Sequence, residues 1–431
     1  MAHGESTGNG STLVGRAREI AQLDAALSRA FGGRGALALL TGEPGIGKTT
    51  LARACAERAA AQGAARAWGA CWDGGGAPAY WPWVQIVRSL ARRGDIATLR
   101  GALGDGAPWI AGLLPEFADA LGSPPPPSEQ DSDQARFRLF DALGTLLAAF
   151  ARRRPLIVVL DDLHWADVSS LYALEFVART LPDAPILAIA AYRHAEAHAR
   201  PELAAPLGGL ARVAMRLPLE GLNRDDVGRM AAARVRGLGS PPTAGDRERI
   251  PASLVTAVHR ASAGNPFFVD ELVQLLASQG RLHDARAAER PLPLPDGVRD
   301  AIRRRLAPLE PFVMQALSAA AVIGGEFRLQ TLARVLDEPS GTVLAWLEQP
   351  LRSAVVLAGR DPGRFGFAHA LVRDTLLESL GATRRARLHL VVAEALEEAY
   401  GDDLEPHLAE IAHHFLQAST VGGAERAVGY A

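Results

Sequence analysis

Lysine is nearly missing from this chain. Forty-six of its 431 residues are basic, and all but Lys48 are arginine. Arginine suffices wherever a forked guanidinium and a compact ammonium serve equally. It does not where a point charge must fit among phosphate oxygens. The one lysine therefore marks a place that arginine cannot fill. Cysteine is almost as scarce: Cys55 and Cys71 cannot build a disulfide framework and have no Cys or His at zinc spacing. That predicts a reducing compartment and no structural zinc. Excess charge is also lacking. A net charge of −2 excludes a surface built throughout to hold nucleic acid. No apolar run approaches the ~18 residues needed to span a bilayer. Met1 to Thr12 is polar and glycine-rich, without the charged start and apolar core of a signal peptide. These absences predict a soluble, cytoplasmic protein. With 48% hydrophobic and 22% charged residues the mix is ordinary for a globular chain. At roughly 100–200 residues per domain, the length predicts two to four domains.

Lys48 lies in Gly42-Glu43-Pro44-Gly45-Ile46-Gly47-Lys48-Thr49, which fits the phosphate-loop pattern G-x-x-x-x-G-K-[ST]. Ala36 to Leu40 before it is apolar and reads as a buried strand. Thr50 to Gln62 after it has no internal Gly or Pro and reads as a helix ended by Gly63. Glycines let successive backbone N–H groups turn inward on an anion, and the helix N-terminus adds its dipole. Gly42, Pro44, Gly45, Ile46, Gly47, Lys48, Thr49 and Thr50 are accordingly the expected phosphate-binding set. Lys48 would reach the β- and γ-phosphates of ATP, and Thr49 would ligate Mg²⁺.

A second strand is expected at Leu156 to Leu160, continuously apolar as a parallel strand covered on both faces should be. It ends in Asp161, placed for the Mg²⁺ shell, and Asp162, placed to orient a hydrolytic water. A third strand, Ile186 to Tyr192, ends in Arg193. Ligands of open α/β sheets lie outside the carboxyl ends of the strands, so Arg193 falls on the nucleotide edge. It is either a γ-phosphate sensor or a surface arginine at a strand end. From about Leu219 the pattern turns helical. Asn265 and Pro266 open one helix as N-cap and first residue. Between Pro295 and Arg385, helices alternate with short strand-like pieces at 354–357 and 364–367, which suits a small winged helix.

The order Leu13-Val14-Gly15-Arg16, the phosphate loop, Leu160-Asp161-Asp162-Leu163-His164-Trp165-Ala166-Asp167, Tyr192-Arg193, Gly264-Asn265-Pro266-Phe267-Phe268 and Phe367 to Asp374 resembles the STAND class of AAA+-related signal-transduction ATPases. In particular it resembles the N-terminal half of large ATP-binding LuxR-type transcriptional regulators, from about Thr12 to Ala431. The resemblance implies an α/β fold in five parts. These are a disordered tail (1–11), a P-loop NTPase core with a parallel sheet (12–218) and a helical lid (219–294). A winged helix (295–385) and the start of a TPR-like helical repeat region (386–431) follow. It implies that Val14, Gly15 and Arg16 lie against adenine, that Pro266 closes over the base, and that His369 touches the β-phosphate of ADP. For His369 a hydrogen-bonded core histidine is the alternative. The implied activity is slow ATP hydrolysis in an ADP/ATP switch, because Asp162 stands where motor AAA+ proteins carry a longer Glu. Self-association in the ATP state is expected. Output would pass to further repeats, a DNA-binding domain or a separate effector.

A replication-initiator-like, DNA-binding AAA+ loader is the competing reading. Its winged-helix stretch, Gly297 to Arg385, carries 12 Arg against 9 acidic residues, which is only mildly basic. Direct DNA binding by this chain is therefore not expected. The long helical second half disfavours a compact small-molecule kinase. Trp68, Trp72, Tyr80, Trp81 and Trp83 read mainly as packing, and Ser123 to Asp133, with four consecutive prolines, as an exposed loop. Arg152 to Arg154 and Arg303 to Arg305 read as solvated triplets. His413 and His414, adjacent on a helix, face apart and make a poor metal pair.

Overall fold

The computed structural model describes residues 13–71, 78–92, 96–122, 133–198, 200–237, 250–284, 292, 295–353, 355–359, 361–401 and 408–429. The expected disordered tail, Trp72, residue 354, the proline stretch up to residue 132 and, within the expected repeat region, residues 402–407 and 430–431 lie outside them. The chain divides into two compact units, Met1–Glu220 and Gly221–Ala431.

The first unit is built on five strands: β1 (Ala36–Thr41), β2 (Ala65–Ala70), β3 (Leu156–Asp161), β4 (Ile186–Tyr192) and β5 (Met215–Pro218). All pair in parallel, in the order β2-β3-β4-β1-β5. The continuous apolar runs in the sequence have a direct cause, because successive residues bury into opposite faces. Leu156, Val158 and Leu160 enter one core, and Ile157 and Val159 enter the other. β4 divides in the same way, Ile186, Ala188 and Ala190 against Leu187, Ile189 and Ala191. A strand covered on both faces has no room for a polar residue until it emerges at its end. Helices α1 (Ala17–Phe31) and α2 (Lys48–Ala61) pack on one face. α3 (Trp81–Ala91) and the helices Asp133–Arg153 and Val168–Ala178 pack on the other. Trp83 is fully buried there, and its indole N–H donates to the Ser170 carbonyl at 3.0 Å.

The second unit has one continuous core. Helices Arg224–Gly237, Ala252–Ser262 and Pro266–Ser278 come first. A three-stranded antiparallel sheet follows, β6 (Glu326–Arg328), β7 (Val356–Ala358) and β8 (Arg364–Phe367), in the order β6-β8-β7 among helices. The helices Ala382–Tyr400 and Leu408–Gln417 then pack on each other. Between them His389 and His414 are buried with their Nδ1 atoms 2.9 Å apart, one donating and one accepting, while His413 is exposed. The two adjacent histidines do face apart, but His414 has a partner 25 residues earlier. The basic triplets are only partly solvated. Arg154 donates to the carbonyls of Gly63 and Ala64, and Arg305 to that of Ser353.

A Cβ at Gly35 would fall 2.3–2.5 Å from the carbonyl oxygens of Ile186, Ala184 and Leu181, none of which is a flexible side-chain end. Gly35→Ala should therefore destabilise the first unit by at least about 2 kcal/mol. Gly208→Ala, at an exposed helical site with nothing within 4 Å, should stabilise it by about 0.5–1 kcal/mol. Thermal melts of both variants check the contrast. The second unit should weaken in acid. Burial, helped by neighbouring positive charge, holds His389 at about 4, below its ordinary 6.5, and lowers His414 as well. Above pH 6.5 the pair is neutral in both the folded and unfolded states. Below it the unfolded chain takes up protons that the folded chain refuses, so stability falls from pH 6.5 toward about 4. Denaturant midpoints across that range should drop, with a shallower drop in a His389→Asn/His414→Asn double variant.

Candidate functional site: a phosphate loop at the sheet edge

The site forms where β1, β3 and β4 end. Because β4 lies between the other two, Arg193 emerges between the phosphate loop after β1 and the acidic pair after β3. The loop needs its glycines. Gly42 has φ +151°, and a Cβ there would lie 2.7 Å from the Leu219 carbonyl oxygen. Gly45 and Gly47 take φ of 75° and 100°, which L side chains rarely adopt. Ile46 is buried in the core and anchors the loop from below. α2 begins at Lys48, with Thr49 half-buried and Thr50 exposed on its first turn.

Lys48 is 6% exposed, and its Nζ donates to the carbonyls of Gly42 at 2.9 Å and Glu43 at 2.8 Å. Burial and then the charge of Arg193 push its pKa down to about 8, against the pull of Asp162, Asp161 and Glu196. These five groups thus share one electrostatic environment, and all but Glu196 are residues that the sequence singles out for chemistry. Asp161 is buried, and burial together with the neighbouring Asp162 raises its carboxyl above the usual range. The Thr49 hydroxyl and the Asp162 backbone N–H donate to that carboxylate. The two expected Mg²⁺ ligands are therefore in contact. Asp162 has φ 55°, a conformation that Asp tolerates, and stands at the N-cap position of the short helix Leu163–Trp165 with no side-chain cap bond, its side chain partly exposed.

Arg16, at φ 64°, precedes α1, with Gly15 at φ 72° before it and Val14 half-buried. Its buried guanidinium donates to the Ile46 carbonyl at 2.9 Å and pairs with Glu19 at 3.5 Å. The arginine of the Leu13-Val14-Gly15-Arg16 motif thus braces the phosphate loop. Pro266 and His369 belong to the second unit. Pro266 begins its helix behind Asn265, whose side chain accepts from Phe267 N–H at 3.1 Å. His369 is buried with its ring edge-on to Phe268 at 5.1 Å.

Two residues of the site have no role in the sequence reading. Glu196, on the helix His194–His198, pairs through Oε1 with Arg193 Nη1 at 2.8 Å. Its Oε2 lies 3.1 Å from Nε2 of His164, a ring with 0% side-chain exposure. Both atoms are buried, with no well-formed hydrogen bond between them. Burial alone would raise the Glu196 carboxyl, but the His164 ring and the Arg193 guanidinium outweigh it and bring the pKa to about 2. The three-residue spacing of Arg193, just before the helix, and Glu196 on it is a local signal. The meeting with His164, 32 positions earlier, is not.

The donor set fits a nucleotide triphosphate with Mg²⁺: inward-turned loop glycines, one buried ammonium, and a hydroxyl and carboxylate already together at the helix start. Residues 12–189 match the AAA ATPase domain family. The chain is also 25% identical over 424 residues to an uncharacterized protein of Rhizobium meliloti (strain 1021). That alignment takes in 96% of this chain, which spans 40% of the relative's length. Among solved structures, a Walker-type ATPase of Pyrococcus abyssi aligns with a TM-score of 0.52 at 16% identity, over 84% of this chain and 96% of its own. The Aeropyrum pernix ORC2 protein, solved as ADPNP–ADP complexes, aligns with a TM-score of 0.54 at 15% identity, over 92% and 98%. At such identities the likeness speaks for the fold, a P-loop NTPase core with a helix-rich second part. Among the described residues no helix is long and apolar enough to cross a membrane.

The Lys48 ammonium should tie nucleotide affinity to pH. Phosphates stabilise its charged form, so its pKa must rise from about 8 on nucleotide binding. ADP affinity, measured by calorimetry without Mg²⁺, should therefore be flat near pH 7 and fall above pH 8 by up to about tenfold per unit. Lys48→Ala should bind weakly and lose that dependence, and Lys48→Arg should not restore wild-type affinity.

Proposed function

We propose that this chain is the nucleotide-operated module of a STAND-class signal-transduction regulator, binding ATP and ADP and hydrolysing ATP slowly. The observation that carries the reading is the convergence of Lys48, Asp161, Asp162 and Arg193 at the ends of three adjacent parallel strands. Lys48 and the loop N–H groups would hold the β- and γ-phosphates. Thr49 and Asp161 would hold Mg²⁺, which when bound neutralises phosphate charge. Asp162 would orient the attacking water, and its reach is one methylene shorter than that of a glutamate, which favours a timer over a motor. Arg193 would read the γ-phosphate, so only the triphosphate engages it.

The resemblance to large ATP-binding LuxR-type regulators supplies the rest of the proposal. Pro266 and His369 would sense the base and the diphosphate, and a winged helix around β6, β7 and β8 would move with them. ATP would license self-association, and the output would be transcriptional. The two states need differ by only a few kcal/mol, which one phosphate bound by one arginine can supply. A DNA-loading AAA+ ATPase is the second reading, favoured by the fold likeness to the ORC2 protein. The near balance of charge between Gly297 and Arg385 weighs against it.

The deciding experiment is to denature freshly purified protein and identify the released nucleotide by chromatography, beside Lys48→Ala. Near-stoichiometric ADP, lost in the variant, is the expected outcome. An empty site with turnover of tens per second would sink the switch and favour the loader.

A further inference from the structure

Arg193 stands at a strand end with its side chain one-third exposed, and a guanidinium there has many rotamers open to it. Reading a single phosphate requires one. The structure supplies the restraint in Glu196, whose Oε1 grips Nη1 at 2.8 Å from the turn of helix directly after β4. Glu196 is itself held. Its second oxygen faces His164 Nε2 at 3.1 Å, and that ring is sealed from solvent. His164 has no freedom to leave, because Arg200 clamps its backbone, donating to the carbonyls of His164 at 2.9 Å and Ala166 at 3.1 Å. The same Nε2 stands 3.9 Å from Asp162 Oδ1. A chain of polar groups therefore runs from the water-orienting aspartate through His164 and Glu196 to the sensor arginine, joining the ends of β3 and β4.

We propose that Glu196 is a positioning residue for ATP hydrolysis, fixing the Arg193 guanidinium by one nitrogen while the remaining N–H groups stay available to the γ-phosphate, with His164 as its backstop. Resting on the ATPase reading above, the proposal adds a residue and a direction to it. Arg193 and Glu196 act as one device, and that device matters to the triphosphate and its transition state but not to ADP. A guanidinium carries five N–H donors, so holding one nitrogen leaves a fork for phosphate oxygens. The carboxylate stays ionised at any working pH, since its pKa is near 2.

The test combines single-turnover ATP hydrolysis with ADP binding for wild type, Glu196→Ala, Glu196→Gln, Arg193→Ala and the Arg193→Ala/Glu196→Ala double variant. Glu196→Ala should slow hydrolysis by about tenfold or more, since it releases a transition-state contact. ADP affinity should stay within about twofold, because ADP has no γ-phosphate for Arg193 to meet. Glu196→Gln keeps an acceptor for Arg193 and should recover part of the rate. In the Arg193→Ala background the second substitution should cost nothing more. Hydrolysis unaffected by Glu196→Ala, losses that multiply in the double variant, or a parallel loss of ADP binding would each overturn the proposal while leaving the ATPase reading intact. A wild-type protein that binds no nucleotide would overturn both. If Glu196→Ala does not fold, Glu196→Gln carries the test: a rate unchanged from wild type with Arg193→Ala also silent defeats it.

Discussion

Desolvation of the Lys48 ammonium is the interaction on which the rest of the site depends. An isolated charge that deeply covered is unstable, and the surroundings answer it in two ways. Two loop carbonyls accept its protons, and three carboxylates, Asp161, Asp162 and Glu196, offset the second positive charge of Arg193. Neither sign is fully satisfied. Asp161 stays above the normal carboxylate range while Lys48 stays below the normal amine range, each held away from its preferred ionisation by burial. A polyanion with a divalent cation relieves both at once, which is why this arrangement suits a nucleotide better than a structural salt bridge.

Strand order sets where these groups can be. With β4 inserted between β1 and β3, its tip lies between the loop after β1 and the acidic pair after β3. Arg193 occupies that tip, and the short helix after it brings Glu196 back toward His164. The apolar lining of all three strands forbids polar groups until the last residue. The chemistry is therefore confined to one rim of the sheet, and the cores below provide a rigid floor.

Much of the first unit was legible in the sequence because its signals are local. Continuous apolar runs gave β1, β3 and β4, and the loop pattern gave the start of α2 and the glycine conformations. Asp161 and Arg193 followed from being the first polar residues past a buried strand. What escaped shares one property: it depends on residues distant in sequence meeting in space. His164 and Glu196, His389 and His414, and Arg16 with the Ile46 carbonyl are pairs that no spacing rule joins. Arg154 and Arg305 looked solvated because a basic triplet says nothing about which nearby carbonyls lack a donor. In the second unit β7 and β8 were visible as short strand-like pieces between helices, but β6 and the order β6-β8-β7 came only with the structure.

The scarcity of lysine has a consequence for covalent chemistry. Within these 431 residues the only side-chain amine is Lys48, and its lowered basicity leaves an appreciable share of it uncharged near neutrality. Acylation or any other amine-directed modification of this chain's side chains therefore falls on the phosphate loop or nowhere. Arginine in place of lysine leaves the other basic side chains inert to such reagents and concentrates side-chain amine reactivity at one sheltered nitrogen. Labelling at Lys48 by a small amine reagent becomes a direct gauge of how well the loop is covered.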